Sequence, residues 1–221
     1  MKVILFGATG MIGQGALRQC LLDPEVERVL VVGRSSTGVA HDKLREILHR
    51  DLYDLSAIES ELSGYDACLF CLGQSSAGMS EADYRRVTYE LTLVVARALL
   101  AHNRDLTFVF VSGLGTDSTG RGSTMWARVK GETENALLKL PFRAAYMFRP
   151  GFIQPLHGVR SKTQAYRLFY VVLSPLFPIL KSLLPKYVTT SERLARAMLR
   201  VAREGALKPV LETRDIDELG A

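Results

Sequence analysis

Cysteine, histidine and blocks of like charge are all scarce in this chain, and each scarcity closes off a class of protein. Cys20, Cys68 and Cys71 are odd in number and lack framework spacing, which excludes a disulfide-stapled scaffold. They read as reduced, buried small residues of a cytosolic protein. Cys68 and Cys71 share the C-x-x-C interval, but on a strand positions three apart face opposite ways, poor geometry for a dithiol or a metal. His41, His49, His102 and His157 form no ligand spacing with them, so no metal site is expected.

No Lys/Arg stripe interleaved with aromatics occurs and the formal charge of +5 is mild, so nucleic acid is not an expected partner. Long hydrophobic runs are missing too. The most apolar stretch, 168–184, is broken by Pro175 and Pro178 and interrupted by Lys181, so no membrane span is expected there. A lid, an interface or a surface-lying segment stays open for it. The opening residues already read as a core strand, leaving no stretch for a signal peptide, and a cytoplasmic location is expected. No internal repeat or low-complexity segment is visible.

What is there begins at residue 2. Lys2 to Phe6 is a short apolar run suited to a buried parallel strand, and Gly7, Gly10 and Gly13 follow at the spacing of a tight turn into a helix over 11–22. Gly7 allows the turn, Gly10 lets the backbone approach a pyrophosphate, and Gly13 lets the helix pack closely on the strand. The unpaired amides of the first helical turn, with Thr9, Met11 and Ile12 beside them, supply an anion site. A dinucleotide is the expected ligand.

The end of the second strand, Arg28 to Val32, bears on which dinucleotide. An Asp or Glu there binds an adenine-ribose diol, but this chain continues Gly33, Arg34, Ser35, Ser36. Arg34 can grip a 2′-phosphate in bidentate fashion, with Ser35 and Ser36 as further donors. NADP is therefore favoured over NAD, the competing reading being an ordinary exposed arginine. The mild positive charge helps attract a phosphorylated cofactor.

Strand and helix alternate onward. Strands are expected at 47–49, 67–72, 106–111, 144–148 and 208–212, and helices near 41–46, 54–62, 80–102, 124–139 and 191–203. Strands joined by helices imply right-handed crossovers, hence an α/β, Rossmann-like, doubly wound parallel sheet with helices on both faces. Residues 1–151 form the dinucleotide-binding core, 152–190 a small cap or interaction region rich in proline and aromatics, and 191–221 a helix and strand returning to the core. One structural domain results. Tyr84 and Tyr89 sit at the margin of the 80–102 helix and read as structural.

Ligands in such sheets bind beyond the carboxyl ends of the strands. There the chain places Asp51 and Leu52, suited to an adenine edge and an apolar wall; Cys71, Leu72 and Gly73; Ser112; and Arg149, Pro150 and Gly151. Trp126 and Lys130 lie four apart on the next helix and share a face, and Lys130 can donate to ribose hydroxyls.

Read together, GATGMIGQG at 7–15, CLG at 71–73, VSGLGTD at 111–117, KGETE at 130–134, FRPGFI at 148–153, SERLARAML at 191–199 and the late DIDELG resemble the atypical branch of the short-chain dehydrogenase/reductase superfamily, and most closely the proteins similar to a Tat-interacting metastasis-suppressor oxidoreductase. The resemblance implies an NADP-binding fold otherwise built for hydride transfer. The family's serine falls on Ser112 and its lysine on Lys130. Its catalytic tyrosine falls on Trp126, whose indole N–H donates but cannot exchange a proton as a phenol does. Trp126 then either stacks on a flat substrate, walls the nicotinamide pocket or packs into the core.

Two functions compete on this evidence. One is an oxidoreductase or epimerase acting on a small-molecule carbonyl or hydroxyl, its proton drawn from water, the ribose or another phenol such as Tyr166. The other is an NADP-dependent sensor or protein-interaction module without turnover. Arg160, Lys162, Arg167, Lys181 and Lys186 suit a nucleotide sugar, whereas the cap's apolar residues suit an apolar substrate, a protein partner or a homodimer.

Overall fold

A computed structural model describes residues 1–159 and 187–221. Seven strands form one wholly parallel sheet: β1 (Lys2–Phe6), β2 (Arg28–Gly33), β3 (Leu44–Leu48), β4 (Ala67–Phe70), β5 (Thr107–Val111), β6 (Ala144–Arg149) and β9 (Val210–Glu212), in the order β3-β2-β1-β4-β5-β6-β9. The order reverses at β1, which pairs with β2 on one side and β4 on the other, and such a switch point opens a crevice beyond the strand ends. Two short strands, β7 (Phe152–Gln154) and β8 (Val188–Thr190), pair in parallel outside this sheet.

Burial on both faces explains why the strands read as continuous apolar runs. Val3, Leu5, Val29, Val31, Leu69, Val109 and Phe148 point to one face, against Leu17 and Cys20 of α1 (Met11–Leu22) and Leu194 and Met198 of α5 (Ser191–Glu204). Ile4, Phe6, Leu30, Val32, Phe70, Phe108, Phe110 and Met147 point to the other, against Val95 and Leu99 of α3 (Leu91–His102) and Leu137 of α4 (Met125–Leu138). Phe70 lies 5.9, 5.8 and 6.0 Å from the rings of Phe6, Phe108 and Phe110. Burying each such ring stabilises by roughly 1.5–3 kcal/mol. Cys68 joins this second face while Cys71 packs toward the first, so the C-x-x-C interval does split across the sheet.

Three local expectations are corrected. Residues 44–48 are a strand rather than the tail of a helix over 41–46, because β2 supplies a parallel partner from Val29↔Leu44 to Gly33↔Leu48. At a sheet edge its charges cost little, and they find partners: Arg45 meets Glu61 at 2.7 Å, and Glu46 accepts from Ser36 Oγ and Thr37 N. The 54–62 segment is a 3₁₀ helix over Ser56–Glu61. The 80–102 helix is interrupted, since α2 (Glu81–Arg85) passes through a π-helical turn, Arg86–Glu90, before α3. Ser80 caps its start, accepting from Asp83 N. Tyr84 is buried, and the Arg85 guanidinium lies 4.4 Å over the Tyr89 ring.

The C-terminal segment is knitted into the core. Gly15 of α1 faces Ser191 at the start of α5, where a methyl group would come within 3.1 Å of the Ser191 carbonyl. Arg203 ties the far end of α5 to Asp23 and Glu25 beyond α1. The last helix, α6 (Thr213–Leu219), opens on a capping box between Glu212 and Asp215.

Candidate functional site

The glycine loop is shaped by backbone contacts that only glycine permits. Gly7 has φ +83°, and a Cβ there would sit 2.6 Å from the Cys71 carbonyl carbon, so the loop lies directly on the exit of β4. A Cβ at Gly13 would meet the Gly7 carbonyl oxygen at 2.0 Å, which shows how tightly α1 packs on the loop. Gly10 is the N-cap of α1 with no side-chain cap, and the first turn carries no acid. Met11 and Ile12 therefore start a helix whose end favours an anion. Gln14, which the sequence reading did not single out, holds the loop by donating to the Thr9 carbonyl at 3.0 Å.

On the far side of the switch point, Arg34, Asp51, Leu52, Leu72 and Gly73 line one cavity of about 380 Å³, together with Arg50, Tyr53 and Gln74. Both arginines are exposed and, among the described residues, neither has an ion-pair partner. Arg50 was missed by the sequence reading, although its place one residue before Asp51 could have flagged it. Asp51 has one oxygen committed to Tyr53 N at 2.9 Å. A Cβ at Gly73 would meet nothing within 4 Å, so that stretch of backbone is open. The expectation that Ser36 adds a donor beside Arg34 is corrected. Its hydroxyl donates to Glu46 at 2.6 Å and it lines a different cavity, whereas Ser35 makes no such commitment.

The third group follows β5. Ser112 is buried, its Oγ lies 2.9 Å from Thr116 Oγ1, and Thr116 Oγ1 in turn donates to the Gly113 carbonyl at 2.7 Å. Lys130 Nζ donates to the Ser112 carbonyl at 2.9 Å and stands 5.8 Å from the Phe110 ring. Withdrawal from water pushes the Lys130 ammonium down to about 8, against the opposing pull of Glu134. Trp126 is half-buried with its ring tip against Gly115, so the indole is not a core side chain.

The loop that carries Ser112 is stapled to α4, which is what brings Lys130 to it. Asp117 N donates to the Ala127 carbonyl, and the Asp117 carboxylate gathers Thr119 and Gly122, hydrogen bonds that hold it down at about 2. A Cβ at Gly131 would lie 1.7 Å from the Asp117 carbonyl oxygen, so Gly131 is what lets helix and loop touch. Behind them, Glu134 is buried and grips Arg149 through both oxygens. Arg149 also reaches Glu212 and Ser118. Pro150 and Gly151 are held structurally: the Pro150 carbonyl accepts from Leu114 N, and Gly151 N donates to Thr213 Oγ1.

The three cysteines are held as thiols. Burial pushes the Cys20 thiol up to about 12 and raises Cys68 and Cys71 as well, and no cluster of metal-ligating side chains occurs among the described residues. Tyr166, the prolines and aromatics of the 168–184 run and the basic residues of the cap lie outside the described residues. Among those described, no helix is long and apolar enough to cross a membrane.

Comparison with known proteins places this geometry. Fungal relatives match much of the chain: protein fmp52-2, mitochondrial, of Aspergillus oryzae is 27% identical over 98% of this chain and 95% of its own length. Protein FMP52, mitochondrial, of Saccharomyces cerevisiae is 28% identical over 74% and 69%. These names overturn the cytoplasmic expectation, which rested on reduced cysteines and an apparent lack of leader sequence, neither of which separates one reducing compartment from another. Among solved structures, the Bordetella bronchiseptica enzyme WbmF in complex with NAD+ aligns at a TM-score of 0.64 and 17% identity over 98% of this chain and 76% of that one. An oxidoreductase of the short chain dehydrogenase/reductase family from Burkholderia thailandensis aligns at 0.66 and 18% over 97% and 92%. The sheet order, the glycine loop at its switch point and a match over residues 3–146 agree: the chain belongs to the NAD dependent epimerase/dehydratase family, with the Rossmann-like fold of the short-chain dehydrogenases.

Proposed function

We propose that the protein binds NADP(H) across the switch point and acts on a small-molecule hydroxyl or carbonyl substrate as a slow oxidoreductase or epimerase. The observation that carries the cofactor reading is the pair Arg34 and Arg50, exposed and without an ion-pair partner among the described residues, at one cavity with Asp51, Leu52, Leu72 and Gly73. Two guanidinium groups without carboxylate partners suit a 2′-phosphate, and Ser35 adds a donor. Gly7, Thr9, Gly10, Met11, Ile12 and Gly13 hold the pyrophosphate through the open end of α1. Cys71 and Gly73 offer backbone to the cofactor, Pro150 and Gly151 a wall, and Lys130 a donor to the ribose hydroxyls. When bound, the cofactor supplies the hydride acceptor or donor. Ser112 orients the substrate oxygen.

Trp126 is why turnover is slow in this reading. By the resemblance it falls at the position of the family's proton-exchanging phenol, and the missing general acid–base is worth roughly 10²–10⁴-fold. The same observation supports a second reading, a cofactor-dependent sensor or interaction module, with the 152–190 region meeting a protein partner or a second copy of the chain. Titrating NADP and NAD into wild type and Arg34→Ala tests the cofactor reading. NADP binds wild type roughly ten- to a hundredfold more tightly than it binds Arg34→Ala, while NAD binding is unchanged. Equal affinities for the two cofactors in wild type overturn it.

A further inference from the structure

Among the described residues, the proton on Ser112 has one place to go. The Gly113 carbonyl can only accept, so Thr116 spends its single hydroxyl proton there, at 2.7 Å. The 2.9 Å contact between the two hydroxyls must then be donated by Ser112. The same carbonyl also accepts from Thr116 N at 3.2 Å, which fixes the threonine in place, and both side chains are buried. With its proton turned toward Thr116, Ser112 Oγ presents only lone pairs to whatever lies on its other side. We propose that Thr116 is a positioning residue that makes Ser112 a hydrogen-bond acceptor in the resting protein, so that the hydroxyl form of the substrate is received there in preference to the carbonyl form. A carbonyl has no proton to give and is received only after the relay from Ser112 to Thr116 to Gly113 is broken. The relay itself stands on the protein alone; the choice of substrate class rests on the cofactor-bound reading above.

Two measurements separate these layers. In the cofactor-free protein, the Ser112 hydroxyl proton is detected by NMR in serine-labelled material, with a contact to the Thr116 methyl and slow exchange with water. Both are lost in Thr116→Val and retained in Thr116→Ser, and each variant is checked by its thermal midpoint for retained fold. A Ser112 hydroxyl that exchanges as fast in wild type as in Thr116→Val overturns the relay, whatever the cofactor does. In the second measurement, cyclohexanol and cyclohexanone, rings of one shape whose oxygens differ in having a proton, are titrated into the NADP-saturated protein. Wild type prefers the alcohol by about fivefold, the worth of one neutral hydrogen bond; Thr116→Val loses that preference and Thr116→Ser restores it. A preference for the ketone, binding of neither ring, or a preference unchanged in Thr116→Val overturns the acceptor assignment. Absence of NADP binding overturns the cofactor reading and leaves the relay decided by the first measurement.

Discussion

Arg34 and Arg50 stand exposed at one end of the site with no carboxylate partner among the described residues, whereas at the other end Ser112, Thr116, Lys130, Glu134 and Arg149 each already hold a neighbour. In the proposed function the open end contributes charge to the cofactor and little to folding. The closed end has its polar groups committed inside the protein, so its chemistry and its stability are the same set of bonds. A change at the first is therefore expected to appear in affinity, and a change at the second in stability as well.

The sharpest way to break that contrast is Glu134→Ala. It leaves the mostly buried Arg149 guanidinium with only Glu212 and Ser118, and the expected loss is about 3 kcal/mol in urea unfolding. Arg34→Ala and Arg50→Ala stay within about 0.5 kcal/mol of wild type in the same experiment. Comparable losses at both ends would erase the distinction. Glycines offer the same test without charge. Gly131→Ala drives a methyl into the Asp117 carbonyl and costs about 3 kcal/mol, whereas Gly73→Ala, with open space before it, is close to neutral.

Affinity reads the open end directly. Arg50→Ala weakens NADP binding roughly tenfold and leaves NAD binding alone, as expected for a charge-assisted contact worth about 1.5–3 kcal/mol at most. A loss shared by both cofactors would assign Arg50 to some other part of the dinucleotide.

Lysine titration reads the closed end. The Lys130 ammonium is held near 8 in the folded chain against 10.5 when free, so between those values the unfolded chain binds more protons and stability rises with pH. Below about pH 8 both states are protonated and the desolvation cost is carried in full. Urea midpoints measured from pH 8 to 10 should climb less in Lys130→Met than in wild type, and identical slopes would show that the Lys130 ammonium is not withdrawn from water. The smallest expected effect is on turnover. Trp126→Tyr raises NADP-dependent oxidation across an alcohol panel by about tenfold, a fraction of what a placed phenol supplies. No gain, with NADP binding intact, moves the protein toward the sensor reading.

Much of this frame was legible in the sequence because it depends on residues near one another along the chain. The apolar runs of β1, β2 and β5, the glycine spacing at 7, 10 and 13 and the i, i+4 pairing of Trp126 with Lys130 are local patterns with local causes. What escaped depends on contacts across the fold. Leu44–Leu48, with two charges in five residues, becomes a strand because β2 is there to pair with it. Glu134 and Arg149 lie 15 positions apart on different elements, and neither looks buried until the other is beside it. Thr116 follows Ser112 by four residues in a loop, where no helical period announces that two hydroxyls will meet. The π-helical turn at Arg86–Glu90 interrupts a pattern that, residue by residue, still reads as one helix.

The glycine loop looks like the most local object in the protein, yet Gly7 is seated on Cys71 and Leu72, which arrive only with the fourth strand. An excised peptide spanning the first two strands would keep every glycine and lack the floor on which the loop rests. The phosphate cradle is thus a product of completed folding rather than a seed for it, and its amides should exchange with solvent as one cooperative unit with β4. Any ligand held there binds the assembled chain alone, so its free concentration sets the unfolding temperature, by about 2.7 kcal/mol of added stability at a hundred times its dissociation constant.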